Sequence, residues 1–214
     1  MNTGSDSSWF AEIADERRTL AGTLATLTPE QWEAQSLCDA WTVRDVAAHL
    51  VMPLVTPLWT FGLAMVRSRG DFDSANVRLT RRTCLRHGHR LPEMLVEHAD
   101  STFTPPGHGP LAPLTDVLVH GQDIRRPLQI DYAIPEQRRR AVLDFLVGSS
   151  SASMFSAQTE NLRWQATDLD WGHGTGPIVE GPAAALMLVL TGRRVALMDT
   201  TGAGAELLAE RKSR

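Results

Sequence analysis

The sequence predicts a mainly α-helical protein, a helical bundle followed by a small C-terminal α/β appendage. Three observations carry that expectation. Apolar residues recur at helical spacing through the first two thirds of the chain, proline and threonine signals punctuate them, and after Ser149 the pattern shifts to short alternating runs. Long helices joined by loops argue for a bundle.

The elements follow in order. Phe10, Ile13, Arg17, Leu20, Leu24 and Leu27 trace one helix face, with Ser7 or Ser8 available to cap its start. Thr28-Pro29-Glu30-Gln31 reads as a capping box with proline at the first helical position. Thr42 is an N-cap for the next helix, with Asp45 near the positive end of its dipole. That helix buries Val43, Val46, Ala47, Leu50 and Leu54, and Pro53 and Pro57 are expected to kink or interrupt it. A third helix is expected from about Ser74 to His98. Residues 101–113 are a loop on composition, a fourth helix spans Pro113 to Arg126, and Pro135 opens a fifth that reaches Val147.

Gly148 to Ser153 is small and polar, like a linker. Residues 162–167 and 176–181 read as short strands, and Pro182 opens an apolar helix closed by Thr191-Gly192. The expected division is a bundle over residues 1–150 and an α/β domain over 155–214, the latter with too little core to stand alone.

Composition excludes several classes of function. The formal net charge of -4 offers no basic surface for nucleic acid or anionic membrane. The N-terminus has no secretory pattern, and apolar runs such as Ala183–Leu190 are too short to span a bilayer. Two cysteines, Cys38 and Cys84, make no disulfide framework and lack C-x-x-C spacing, so a soluble cytoplasmic protein is expected. There is no G-x-S-x-G elbow, P-loop or G-x-G-x-x-G. Trp32, Trp41, Trp59, Trp164 and Trp171 read as core or hinge packing. Among 21 basic residues only Lys212 is a lysine, a bias expected of a high-GC genome.

Chemistry is suggested by three residues. His49 lies inside the second helix, and Asp116 and His120 stand at i and i+4 on the fourth, one above the other on a single face. Two imidazoles and a carboxylate are what an open, three-ligand Zn²⁺ site needs. On a helical wheel Asp116, His120 and Asp123 cluster roughly opposite an apolar stripe of Leu111, Leu114, Val117, Leu118 and Ile124. The same pattern also describes a solvated Asp–His pair and an unrelated histidine at the edge of another helix. Asp123 reads either as a partner for a ligating imidazole or as an exposed helix-stabilising residue. His89, Glu93 and Glu97 share the i,i+4 spacing and read as a solvated face. His87 and His98 have no partner pattern, and His108 and His173 fall in loops.

The segments W-T-V-R-D-V-A-A-H-L (41–50) and D-x-x-x-H-G-x-D-I-R-R-P-L (116–128) resemble the N-terminal domain of the mycothiol-dependent maleylpyruvate isomerase family, as does the L-T-P-E-Q-W turn. That family belongs to the DinB-like group of metal-binding four-helix bundles. Residues 161–197, with D-L-D-W-G-H-G, G-P-A-A-A-L and T-G-R-R, resemble the small C-terminal domain of actinobacterial members, in keeping with the arginine bias.

The resemblance implies that His49, Asp116 and His120 hold a divalent metal, Zn²⁺ by expectation, although such sites also take Ni²⁺ in vitro. The isomerase has a glutamate where this chain has Asp116, one methylene longer. The resemblance also implies mycothiol as thiol cosubstrate, a small electrophile as substrate, and isomerase or S-transferase activity. Arg193 and Arg194 are candidates to meet an anionic substrate. The competing functions are a non-catalytic DinB-like binding or stress-associated protein, and a hydrolase using metal-bound water. Oligomeric state is not readable from the sequence.

Overall fold

A computed structural model describes residues 3–148 and 161–211 of the chain. The expected linker beyond Gly148, and the expected boundary between residues 150 and 155, lie outside the described residues. The chain divides into two compact units, Met1–Asp131 and Tyr132–Arg214.

The first unit is helical: α1 (Thr3–Ala25), α2 (Pro29–Glu33), α3 (Val43–Val55), α4 (Leu58–Arg67), α5 (Phe72–His87), α6 (Leu91–Glu97) and α7 (Leu111–Arg125). Helix α7 packs on both α1 and α3, and α5 and α6 together supply the fourth member of a bundle, α5 against α3 and α6 against α1 and α3. The core joins Leu20 and Leu24 of α1, Val46, Ala47 and Leu50 of α3, Leu91 and Leu95 of α6, and Val117 and Ile124 of α7. Arg17 and Ile13 lie on the predicted buried face of α1.

Local signals set most boundaries. Thr28 and Thr42 both form complete capping boxes, with Gln31 and Asp45 reaching back to the cap N–H. α3 runs through Pro53 to Val55, and Pro57 caps α4. α1 runs through Ser7 and Ser8 instead of starting at them. α7 starts at Leu111, ahead of the expected Pro113, directly after Pro110.

The expected helix from Ser74 to His98 is two helices, α5 and α6. Pro92 has no N–H to give the carbonyl of Gly88, so an unbroken helix would lose a bond there. That carbonyl instead accepts from Arg44 Nη1 at 2.8 Å. A side chain on Gly88 would meet the Cys84 carbonyl at 2.6 Å, so glycine is required at this close turn.

The second unit contains α8 (Glu136–Val147), β1 (Arg163–Ala166), β2 (Gly172–His173), β3 (Ile178–Gly181), α9 (Ala183–Leu190), a 3-10 turn (Arg194–Asp199) and α10 (Ala203–Glu210). The sheet order is β2-β1-β3, with β1 antiparallel to β2 and parallel to β3. Trp164 pairs with Val179 across the parallel edge, and both are buried. Both predicted strands are present, whereas β2 and α10 are additions that the sequence pattern did not announce.

Helix α8, expected in the bundle domain, groups with this unit. Trp171 Nε1 donates to Asp144 Oδ1 of α8 at 2.7 Å, and α8 packs against α9. Arg139 of α8 pairs with Asp168, whose other oxygen accepts from the first N–H of α9 at 2.7 Å. Polar ties and packing therefore bind α8 to the strands.

Candidate metal centre

Helices α3 and α7 pack in register to bring three predicted residues together. The ligand atoms of His49, Asp116 and His120 all lie within 4.8 Å of one another. The same oxygen, Asp116 Oδ1, stands 3.5 Å from His49 Nε2 and 3.5 Å from His120 Nε2. The imidazole rings meet edge to face with centroids 4.7 Å apart. Their side chains are 12% and 13% exposed while that of Asp116 is 38% exposed, so the cluster is open on the carboxylate side.

These separations discriminate between two arrangements. An N–H···O⁻ hydrogen bond closes to about 2.7–2.9 Å. Ligands about 2.1 Å from a tetrahedral ion stand about 3.4 Å from one another. The two 3.5 Å contacts match the second value. Although one methylene shorter than glutamate, Asp116 brings one oxygen within 3.5 Å of both imidazole nitrogens.

Each imidazole presents a defined nitrogen. His120 Nδ1 lies 2.8 Å from Asp123 Oδ2, a hydrogen bond that leaves Nε2 facing Asp116. His49 Nδ1 is buried without a hydrogen-bond partner among the described residues, so its polar contact is made by Nε2. Asp123 is fully buried, which overturns its reading as an exposed helix residue. A carboxylate with no access to water needs donors, and His120 is one of them.

The surroundings complete the site. Trp41, which caps the loop before α3, lies tilted against His49 with ring centroids 5.0 Å apart and 6.4 Å from His120. Arg17 of α1 is nearly buried, and its Nη1 donates to the carbonyls of Ala99 and Ser101 at 2.9 and 2.8 Å. Burial pushes the Arg17 pKa down from its ordinary value, and the carboxylates of Asp116 and Asp100 push it back up. The Arg17 guanidinium is therefore within electrostatic reach of Asp116.

Sequence reasoning missed Cys38. Its Sγ lies 3.2 Å from Asp123 Oδ2 and 3.9 Å from His120 Nδ1. No spacing rule links a loop cysteine to residues so far along the chain; only the fold does. Among the described residues, every close trio of potential ligands contains His120. His89 sits in the turn between α5 and α6, so it shares no helix face with Glu93 and Glu97, and Glu97 pairs with Arg90 at 2.8 Å. Arg193 and Arg194 belong to the second unit, where they donate to the carbonyls of Thr191 and Ala209 at 2.7 and 2.9 Å. Trp164 and Trp171 are buried as expected, whereas Trp59 is 73% exposed.

Residues 13–56 match the family model described as the mycothiol maleylpyruvate isomerase N-terminal domain. The family resemblance is supported. The matched stretch includes His49 and Trp41, and stops short of Asp116 and His120. A solved crystal structure of a histidine-to-alanine mutant of the mycothiol-dependent maleylpyruvate isomerase aligns over 96% of this chain and 94% of that one, with 12% identity and a TM-score of 0.50. A second crystal structure of the isomerase aligns over the same shares, with 12% identity and a TM-score of 0.47. At such identity the first likeness speaks for the fold alone, a mainly helical architecture with a small sheet. No curated protein matches the chain.

Proposed function

We propose that this chain is a divalent-metal enzyme that uses a low-molecular-weight thiol, mycothiol, on a small electrophile, as an isomerase or S-transferase. The single observation that carries the metal is Asp116 Oδ1 at 3.5 Å from two separate imidazole nitrogens, a ligand spacing and not a hydrogen-bonded one. The match over residues 13–56 supports the thiol.

His49, Asp116 and His120 would hold the ion, and Zn²⁺ suits the donor set. When bound, it supplies Lewis-acid activation of a thiol near neutral pH. The protein's own groups do the rest. Asp123 fixes the tautomer of His120, Trp41 shields one side of the imidazole pair, and Arg17 offsets the charge of Asp116. The open carboxylate side is the approach for thiol and electrophile. Isomerisation adds the thiol, rotates the bond and eliminates the thiol unchanged, whereas transfer leaves it attached as the leaving group departs.

The test is metal analysis of protein purified without a nickel column. We expect about one zinc per chain, lost in His49→Ala and His120→Ala with helical circular dichroism retained. A metal-free and equally stable wild type would overturn the reading. Mycothiol consumption with candidate electrophiles, with and without chelator, then separates thiol chemistry from hydrolysis.

A further inference from the structure

The loop between α2 and α3 is fastened to α7 beside the metal-centre residues. Leu37 N–H donates to the Asp123 carbonyl at 3.1 Å, and Cys38 Sγ reaches the Asp123 carboxylate at 3.2 Å. Cys38 is itself held in place. Its N–H donates to Ser36 Oγ at 3.1 Å, and its carbonyl accepts from Trp41 N–H and Gln35 Nε2, each at 2.9 Å.

Two arrangements could explain a thiol, a carboxylate and an imidazole in one place. As ligands of a common ion they would stand about 3.3 Å or more apart, because zinc bonds of about 2.0–2.3 Å open tetrahedral edges of that length. His120 Nδ1 and Asp123 Oδ2 are 2.8 Å apart, inside hydrogen-bonding range. The trio is therefore a hydrogen-bonded chain in which the carboxylate oxygen accepts from both neighbours. The S–H is a weak donor, and its acceptor is a fully buried carboxylate oxygen.

We propose that Cys38 is a positioning residue of the metal centre: its thiol orients the Asp123 carboxylate, which keeps the His120 proton on Nδ1 and so presents Nε2 towards Asp116 and His49. The inference rests on the metal reading above and extends it to a residue outside the ligand set. Loss of the thiol removes one donor from the carboxylate, and the preference for the Nδ1–H tautomer weakens. A serine hydroxyl restores the donor.

The experiment compares the full chain with Cys38→Ala, Cys38→Ser and Asp123→Asn, folding being checked by circular dichroism. Zinc affinity is read by chelator competition, the ligand set by the absorption of the cobalt(II)-substituted protein, and the His120 tautomer by nitrogen-15 NMR of metal-free protein. Cys38→Ala is expected to weaken zinc binding about three- to tenfold, less than the roughly 10–100-fold loss typical when a direct partner of a ligating histidine is removed. Cys38→Ser binds within about twofold of wild type, and the Nδ1–H population of His120 falls in Cys38→Ala. Wild-type affinity and tautomer in Cys38→Ala would overturn the proposal. So would a sulfur-to-cobalt charge-transfer band in wild type that Cys38→Ser abolishes, since it makes Cys38 a ligand. A wild type that takes no zinc defeats the metal reading instead, and the tautomer comparison still decides the role of Cys38.

Discussion

His120 faces a carboxylate through each ring nitrogen, and the two contacts differ in kind. Asp123 stands 2.8 Å from Nδ1, and Asp116 stands 3.5 Å from Nε2. The first is a hydrogen bond and the second matches two ligands of one ion. Cys84 is pushed above the ordinary thiol range by burial first, then by the Asp45 carboxylate. Both causes disfavour the thiolate, so at a given pH less of Cys84 is reactive. In a Cys38→Ser background, Cys84 should react with iodoacetamide more slowly than a free thiol at pH 8, catching up only at higher pH. An ordinary thiol profile would refute this. At residue scale the spacing singled out three side chains that the fold brings together. It did not show that Asp123 is buried, because a helical wheel assigns angle and not what packs against each face.

Among elements, α3 depends most visibly on its first turn. Thr42 Oγ1 accepts from Asp45 N–H at 3.2 Å, while Asp45 Oδ2 accepts from Thr42 N–H at 3.1 Å. Thr42→Ala should cost about 1 kcal/mol, read as a lowered urea midpoint, with Thr42→Ser recovering most of it. An unchanged midpoint would show that packing alone starts the helix. Both capping boxes were legible because their partners are three residues apart. The break at Gly88–Pro92 was missed although both residues are local signals, while the group that takes up the Gly88 carbonyl, Arg44, comes from another helix. Strand β2 is two residues long, below the reach of any alternation.

For the whole molecule, the mainly helical class and the small sheet were legible, and the division was not. Helix α8 has the amphipathic pattern of a bundle member. Its Asp144 bonds Trp171, however, and no local signal in residues 136–147 foretells that partner. Global stability should respond to metal. An ion that binds only the folded state at about 100 times its dissociation constant adds about 2.7 kcal/mol. Zinc should therefore raise the thermal midpoint of wild type and leave that of a His49→Ala, His120→Ala double variant unmoved. Equal shifts in both would place the effect elsewhere.

The Leu37 amide on the Asp123 carbonyl, described above as a fastening, joins the approach to α3 with α7 through backbone atoms alone. It braces the two donor-bearing rods without any contribution from the donors themselves. Under the proposed metal reading, such bracing leaves less of the chain to immobilise when an ion binds.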